Sequence, residues 1–414
     1  MATRISGDWF ADGRTHWGVG IEDTFVPQER PGHRKLDLYE LTQHYENWRD
    51  DLALAAGCGA ELIRWGIPWY MTERSDGVFD FSWMDEVAAE MSRLGLRPVI
   101  DLMHYGTPLW LKNGFINPRY PDLVARYAGR IAERYAGVFD DFTPLNEPMI
   151  NAIWCGMDGK WPPYLTGHSG FVTVLVPLVE GLQRTCEAIK AANPAATVVH
   201  VDAGFLWRGE FGAGRDQVFL DEWRFLAIDM ALGRVTAGHP LWKYLVCSGA
   251  SPDRLDAISC QAITPDVLGI NYYPAFTAQG RQPGASSDHP VEAGTQGLTD
   301  LVTAYHQRYG IPLAITETSR IAEEPPDKIA WTDDLVRTVA ELKSDGVFIA
   351  AVFWFPLLDM YDWEYRFVTT PLDAHRQRFG LVDLVRGPDN RLARVPNAAY
   401  DHFRDVTRQG GRQR

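Results

Sequence analysis

Two glutamates in this sequence have neighbours suited to acid–base or nucleophilic chemistry. Glu147 lies in the run Asn146-Glu147-Pro148, and Glu317 in Ile315-Thr316-Glu317-Thr318-Ser319. Two facing carboxyls can cleave a glycosidic bond. One protonates the leaving oxygen; the other attacks the anomeric carbon or activates water. They must differ in proton affinity to take different roles at one pH. Arg64 could hold Glu317 ionised while Glu147 stays partly protonated. The proline after Glu147 predicts an extended backbone at the glutamate. His104 reads as a hydrogen-bonding group beside them, with a buried structural histidine as the competing reading. Glu22 follows the first strand signal. Singly, these residues have plain explanations. Asn-Glu-Pro is a common helix entry with Asn as cap, and a glutamate after an apolar strand is often a surface ion-pair partner. Their joint order carries the weight: Arg, His, Asn-Glu-Pro, Asn-Tyr-Tyr and Glu, each at its own strand end. Trp110, Trp154, Trp161, Trp354 and Trp363 fall in or near strand-to-helix loops, where indole faces can stack on a sugar.

The positioning elements alternate along the chain. Strands are predicted over His16–Ile21, Glu61–Trp65, Arg97–Leu102, Phe139–Leu145, Thr197–Asp202, Val267–Asn271, Pro312–Thr316 and Val347–Phe353. Helices are predicted over Leu41–Gly57, Ser82–Leu94, Asp122–Ala136, Phe171–Ala192, Phe219–Leu232, Thr299–Tyr309, Asp327–Ser344 and Asn397–Thr407. Ser82 is the expected N-cap and Gly95 the expected C-terminal stop of the second helix. Several strands are unbroken apolar runs, which suit parallel strands buried on both faces. Eight such repeats predict one (β/α)8 TIM barrel over residues 1–414, with chemistry at the C-terminal strand ends. An open doubly wound sheet is the competitor, but no G-x-G-x-x-G follows the first strand. Gly280–Gly297 and Trp363–Gln377 read as long loops, and Gly410–Arg414 as a frayed tail.

Composition excludes other classes. The 414 residues carry a formal charge of −14, the wrong sign for a nucleic-acid or anionic-membrane protein. No apolar run reaches a membrane span, and Asp8, Asp12 and Arg14 interrupt the place of a signal-peptide core. Five scattered cysteines form no C-x-x-C, which fits a reducing cytoplasm. The eleven histidines form no H-E-x-x-H, so neither a metal nor another cofactor is expected. The expected partner is a small-molecule glycoside, with no nucleic acid and no membrane. Homo-oligomerisation is left open.

The runs RWGIPW (64–69), HYGTPLWL (104–111), TPLNEP (143–148), LGINYY (268–273), AITET (314–318), FWFPLLDMYDW (353–363) and RFGLVD (378–383) resemble glycoside hydrolase family 1, the retaining β-glycosidases of the β-glucosidase type. The resemblance runs in order from about Trp17 to Asp383. It implies Glu147 as acid/base and Glu317 as nucleophile, with Arg64 and Tyr273 supporting the nucleophile. It further implies that Asn146 and His104 bind the sugar 2- and 3-hydroxyls, that Trp354 lines subsite −1, and that Asp362 and Trp363 read the 3-, 4- and 6-positions. Three departures stand out. Glu22 is the nearest counterpart of a sugar-binding Gln, Asp362 replaces the usual Glu, and Thr318-Ser319 replaces Asn-Gly. The implied activity is retaining hydrolysis of a β-linked glycoside. The alternatives are a transglycosidase with an alcohol acceptor, and a barrel recruited for sugar binding or for other chemistry. The altered subsite predicts a neutral or cationic glycone and not a sugar phosphate.

Overall fold

The computed structural model describes residues 7–208, 217–280 and 289–410. Eight parallel strands close into a barrel: β1 His16–Gly20, β2 Leu62–Gly66, β3 Arg97–Asp101, β4 Asp141–Thr143, β5 Thr197–Ala203, β6 Val267–Asn271, β7 Leu313–Thr318 and β8 Ile349–Trp354. Each pairs with its sequence neighbours, and β8 pairs with β1. The order is that of a (β/α)8 barrel, as expected from the alternation. Every barrel strand is buried along its whole length. That explains why the sequence shows apolar runs rather than a period of two.

Leu62, Val99, Val199, Val201, Val267, Ala314, Ala351 and Phe353 fill the barrel interior, together with Trp9. Trp9 lies at the N-terminal end and donates its indole N–H to Asp141 Oδ1 at 3.2 Å. A second, larger core lies between the strands and the helices, which include His44–Gly57, Ser82–Leu94, Tyr120–Arg134, Gly167–Ala192, Gly294–Tyr309, Pro325–Ser344 and Ala398–Gly410.

Several boundaries differ from expectation. Ser82 is the first helical residue rather than the cap, and donates its N–H and hydroxyl to Asp80 Oδ1 at 3.1 and 2.6 Å. Gly95 does end that helix, with φ 74°. β4 stops at Thr143, because the chain turns out over the mouth while Asn146 keeps a bridge to Val201. The expected helix over Phe219–Leu232 is two, Gln217–Trp223 and Leu226–Ala231. The loop expected over Trp363–Gln377 contains two 3₁₀ turns, and Met360–Tyr361 pairs with Arg376–Gln377. In the loop expected over Gly280–Gly297, residues 281–288 lie outside the described residues. Its ends form a ladder between Ala278–Gly280 and His289–Val291, and a helix starts at Gly294. The last helix continues through Gly410, and residues 411–414 of the expected tail also lie outside the described residues.

Candidate active site

Glu317 reaches the mouth through an irregularity in its strand. The β6–β7 register shifts between Ile270 and Asn271, and the β7–β8 register shifts between Ile315 and Thr318. Such a shift turns consecutive side chains towards one face. Thr316 Oγ1 then donates to Asn271 Oδ1 at 2.7 Å, while Glu317 meets Arg64 and Tyr273. The Arg64 guanidinium donates to Glu317 Oε1, and the Tyr273 hydroxyl donates to Oε2 at 2.7 Å.

Glu147 sits beyond β4, at the start of the short helix Pro148–Ala152. Its backbone is left-handed, with φ 45° and ψ 66°, and not extended as the following proline predicts. Tertiary bonds outweigh the local preference. The Glu147 N–H donates to Val201 O at 3.1 Å, and Asn151 Nδ2 donates to Asn146 O at 3.0 Å. Asn271 Nδ2 donates to Glu147 Oε1 at 2.8 Å, and the Tyr105 hydroxyl donates to Oε2. Glu147 and Glu317 are 7% and 5% exposed. Burial and then the charge of Glu317 push the Glu147 carboxyl up to about 7.

One charged network joins the two halves of the mouth. Arg64, 1% exposed, donates at 2.6 Å to both Asp101 Oδ2 and Asn146 Oδ1. His104 Nδ1 lies 2.8 Å from Asp101 Oδ2 and 3.2 Å from Asp23 Oδ1; its Nε2 lies 3.2 Å from Asn146 Nδ2. Burial alone would lower the proton affinity of His104. Asp23 foremost, then Asp101 and Glu22, outweigh that and push it up to about 10. Asp23 packs where a side chain on Gly66 would stand: a Cβ there would come 1.5 Å from its Oδ2. Asp23, Asp101 and His104 bring donor atoms within 4.8 Å of one another, as in a cation cradle. The Arg64 guanidinium already supplies positive charge to that cluster. A second group, Glu222, Asp229 and His239, is bridged by Arg308.

Glu22 faces His104 Nε2 at 3.7 Å, and its Oε1 accepts from the Thr24 N–H at 3.0 Å. Its basic neighbour is thus a histidine rather than an arginine or lysine. Asp362 caps the 3₁₀ turn Trp363–Phe367, accepting from the Glu364 N–H at 2.8 Å. Trp363 joins Tyr105, Trp154 and Trp161 in a cluster of rings with centroids 4.7–5.3 Å apart.

Trp354 does not join the mouth. Its indole N–H donates to Phe379 O at 3.1 Å, and its ring contacts Phe403 of the last helix. The strand's alternation puts Phe353 inside and Trp354 outside. Phe355 takes the inner place, its ring parallel to His104 at 6.2 Å and 5.4 Å from the Arg64 guanidinium carbon. Gly20 makes room for it, since a Cβ there would lie 2.0 Å from the ring. Sequence reasoning missed Phe355, Asp23 and Asp101 as mouth residues. Counting inward positions from Phe353 would have found Phe355, and the three-residue spacing in Asp101-Leu-Met-His104 hinted at Asp101.

A closed (β/α)8 barrel thus carries one buried glutamate beyond its fourth strand and another on its seventh. Residues 1–201 match the family model of glycosyl hydrolase family 1. Thermostable β-glucosidase B of Thermobispora bispora is 25% identical, over 99% of this chain and 89% of its own length. A β-galactosidase of Pyrococcus woesei is 20% identical, over 77% of this chain and 70% of its own. The structure of a family 1 β-glucosidase from Thermotoga maritima superposes with a TM-score of 0.81, covering 99% of both chains at 17% identity. The chain is thus similar to family 1 glycoside hydrolases, through the family model over residues 1–201 and through relatives of low identity over nearly its whole length. Among the described residues, no helix is long and apolar enough to cross a membrane.

Proposed function

We propose that this enzyme is a retaining β-glycosidase, acting as the β-glucosidases among its relatives do. The observation that carries the reading is the contrast between two buried glutamates. Glu317 receives donors from the Arg64 guanidinium and the Tyr273 hydroxyl on its two oxygens. Glu147 is pushed towards neutrality by burial and by the charge of Glu317. In the first step Glu147 protonates the leaving oxygen while Glu317 bonds to the anomeric carbon. In the second, Glu147 takes a proton from water, whose oxygen displaces Glu317. Glu317→Ala should lower turnover of an aryl β-glycoside by at least about 10³-fold. Azide should partly restore it, giving the α-glycosyl azide by NMR. Near-native turnover without azide would refute the assignment.

For the glycone we propose a neutral or cationic sugar and not a phosphorylated one. Glu22 lies beside His104 with its carboxyl raised by burial, and Asp23 adjoins it. The arginines after β8 that could bind a phosphate are engaged elsewhere. Arg366 donates to Val26 O, Arg34 O and the Tyr164 hydroxyl, and Arg376 donates to Leu384 O. On matched aryl glycosides, kcat/KM should be at least about tenfold higher for glucoside or amino-glucoside than for 6-phosphoglucoside, since a phosphate dianion buried beside two acidic side chains lacks compensating charge. A preference for the phosphate would refute it.

A further inference from the structure

The hydrogen bonds around Glu147 fix which of its oxygens can carry a proton. A guanidinium has only donors, so Asn146 Oδ1, 2.6 Å from Arg64 Nη2, is an acceptor. Asn271 Nδ2 lies 3.3 Å from that same oxygen and 2.8 Å from Glu147 Oε1. Asn271 Oδ1 accepts from Thr316 Oγ1 at 2.7 Å. The Asn271 amide therefore presents its NH₂ to Glu147, and Oε1 can only accept there. A proton on Glu147 must sit on Oε2. The protein group at Oε2 is the hydroxyl of Tyr105, which can donate or accept.

Tyr105 is held there firmly. Its backbone is left-handed, φ 71°, a conformation that bulky residues rarely adopt. Its buried ring packs edge-on to His104 at 4.7 Å and to Trp363 at 5.3 Å, and tilted to Trp161 at 5.2 Å.

We propose that Tyr105 is a positioning residue for Glu147: its hydroxyl hydrogen donates to Oε2 of the carboxylate and turns away when Oε2 carries the catalytic proton. The proposal rests on Glu147 being the acid/base. In glycosylation the Oε2–H proton passes to the leaving oxygen as the glycosidic bond breaks and the Glu317 ester forms. Glu147 becomes a carboxylate, and the Tyr105 O–H swings in to donate. In deglycosylation Oε2 takes a proton from water as the water oxygen bonds to the anomeric carbon, Glu317 leaves as a carboxylate, and the Tyr105 O–H swings back.

Removing the hydroxyl removes a donor that stabilises the charged form, so the proton should bind more tightly. The test is Tyr105→Phe, which keeps the ring and its packing. Glu147 is titrated by carbon-13 NMR of glutamate-labelled enzyme, with Glu147→Gln assigning the resonance. The wild-type midpoint should lie near 7, and that of Tyr105→Phe about one unit higher. The basic limb of kcat/KM should move up with it. Site-specific 3,5-difluorotyrosine at position 105, a stronger donor, should move the midpoint down. A midpoint unmoved in both variants would overturn the proposal even if rates fell, because lost packing alone lowers rates without changing proton affinity. The titration needs no turnover. A wild-type enzyme without glycosidase activity would therefore count against the acid/base reading of Glu147, separately from the result at Tyr105.

Discussion

One strand carries a buried ion pair at each end. β3 begins at Arg97, on the floor of the barrel, and ends at Asp101, in the mouth. On the floor, Arg97 binds both oxygens of Asp141, through Nε at 2.5 Å and Nη2 at 2.9 Å, and donates Nη1 to Gly7 O. Trp9 adds a further donor to the same carboxylate. In the mouth, Arg64 divides its donors among Asp101, Asn146 and Glu317, while its Nε and Asp101 Oδ1 have no partner among the described residues. The floor pair is closed and the mouth pair is shared. Unmatched buried polar groups cost stability, and the mouth pair carries two of them while the floor carboxylate is bound on both oxygens, so the mouth geometry is set by more than folding. This agrees with the division of labour between the two faces of such barrels.

Lysine at both arginines is the strongest way to break that comparison. Lysine keeps the charge but cannot make bidentate or branching contacts. Arg64→Lys should lower kcat/KM by roughly 10²–10³-fold, since donors aimed at Glu317 and Asn146 are lost. Its unfolding free energy should also fall, by about 1–3 kcal/mol, because lysine leaves part of the buried acceptors of Arg64 unpaired. Arg97→Lys should cost about 1–3 kcal/mol, read by urea denaturation, and leave kcat/KM within about twofold. If Arg97→Lys lost activity while still folded, floor and mouth would be coupled and the contrast would fail.

The barrel was legible because its strands are apolar runs at regular intervals, and burial on both faces is what produces such runs. The catalytic candidates were legible because they end those runs. What the sequence hid depends on contacts between distant segments. The left-handed turn at Glu147 is imposed by Val201 O and by the Asn151 side chain, against a local preference for extended backbone. Asp23 meets His104 across some eighty residues of chain, in space left by Gly66. Neither meeting leaves a periodicity to read. The exchange of Trp354 for Phe355 is of another kind. The resemblance favoured the tryptophan, whereas the parity of β8 favours the phenylalanine.

That exchange provides the sharper and smaller test of where the mouth ends. Phe355 lies parallel to His104 and near the Arg64 guanidinium, so its ring supports the charged network. Phe355→Leu keeps much of the volume and removes the aromatic face. It should lower kcat/KM about tenfold, the order of effect expected of one aromatic contact of about 1.4 kcal/mol. Trp354→Phe instead deletes the indole N–H that serves Phe379 O, a buried contact on the helix side. It should lower stability by about 1–3 kcal/mol and leave kcat/KM within about twofold. Thermal melts and kinetics on one aryl β-glycoside read both variants. The opposite pattern, with Trp354→Phe the slower enzyme and Phe355→Leu the less stable one, would return Trp354 to the sugar subsite and move the boundary of the mouth outward past β8.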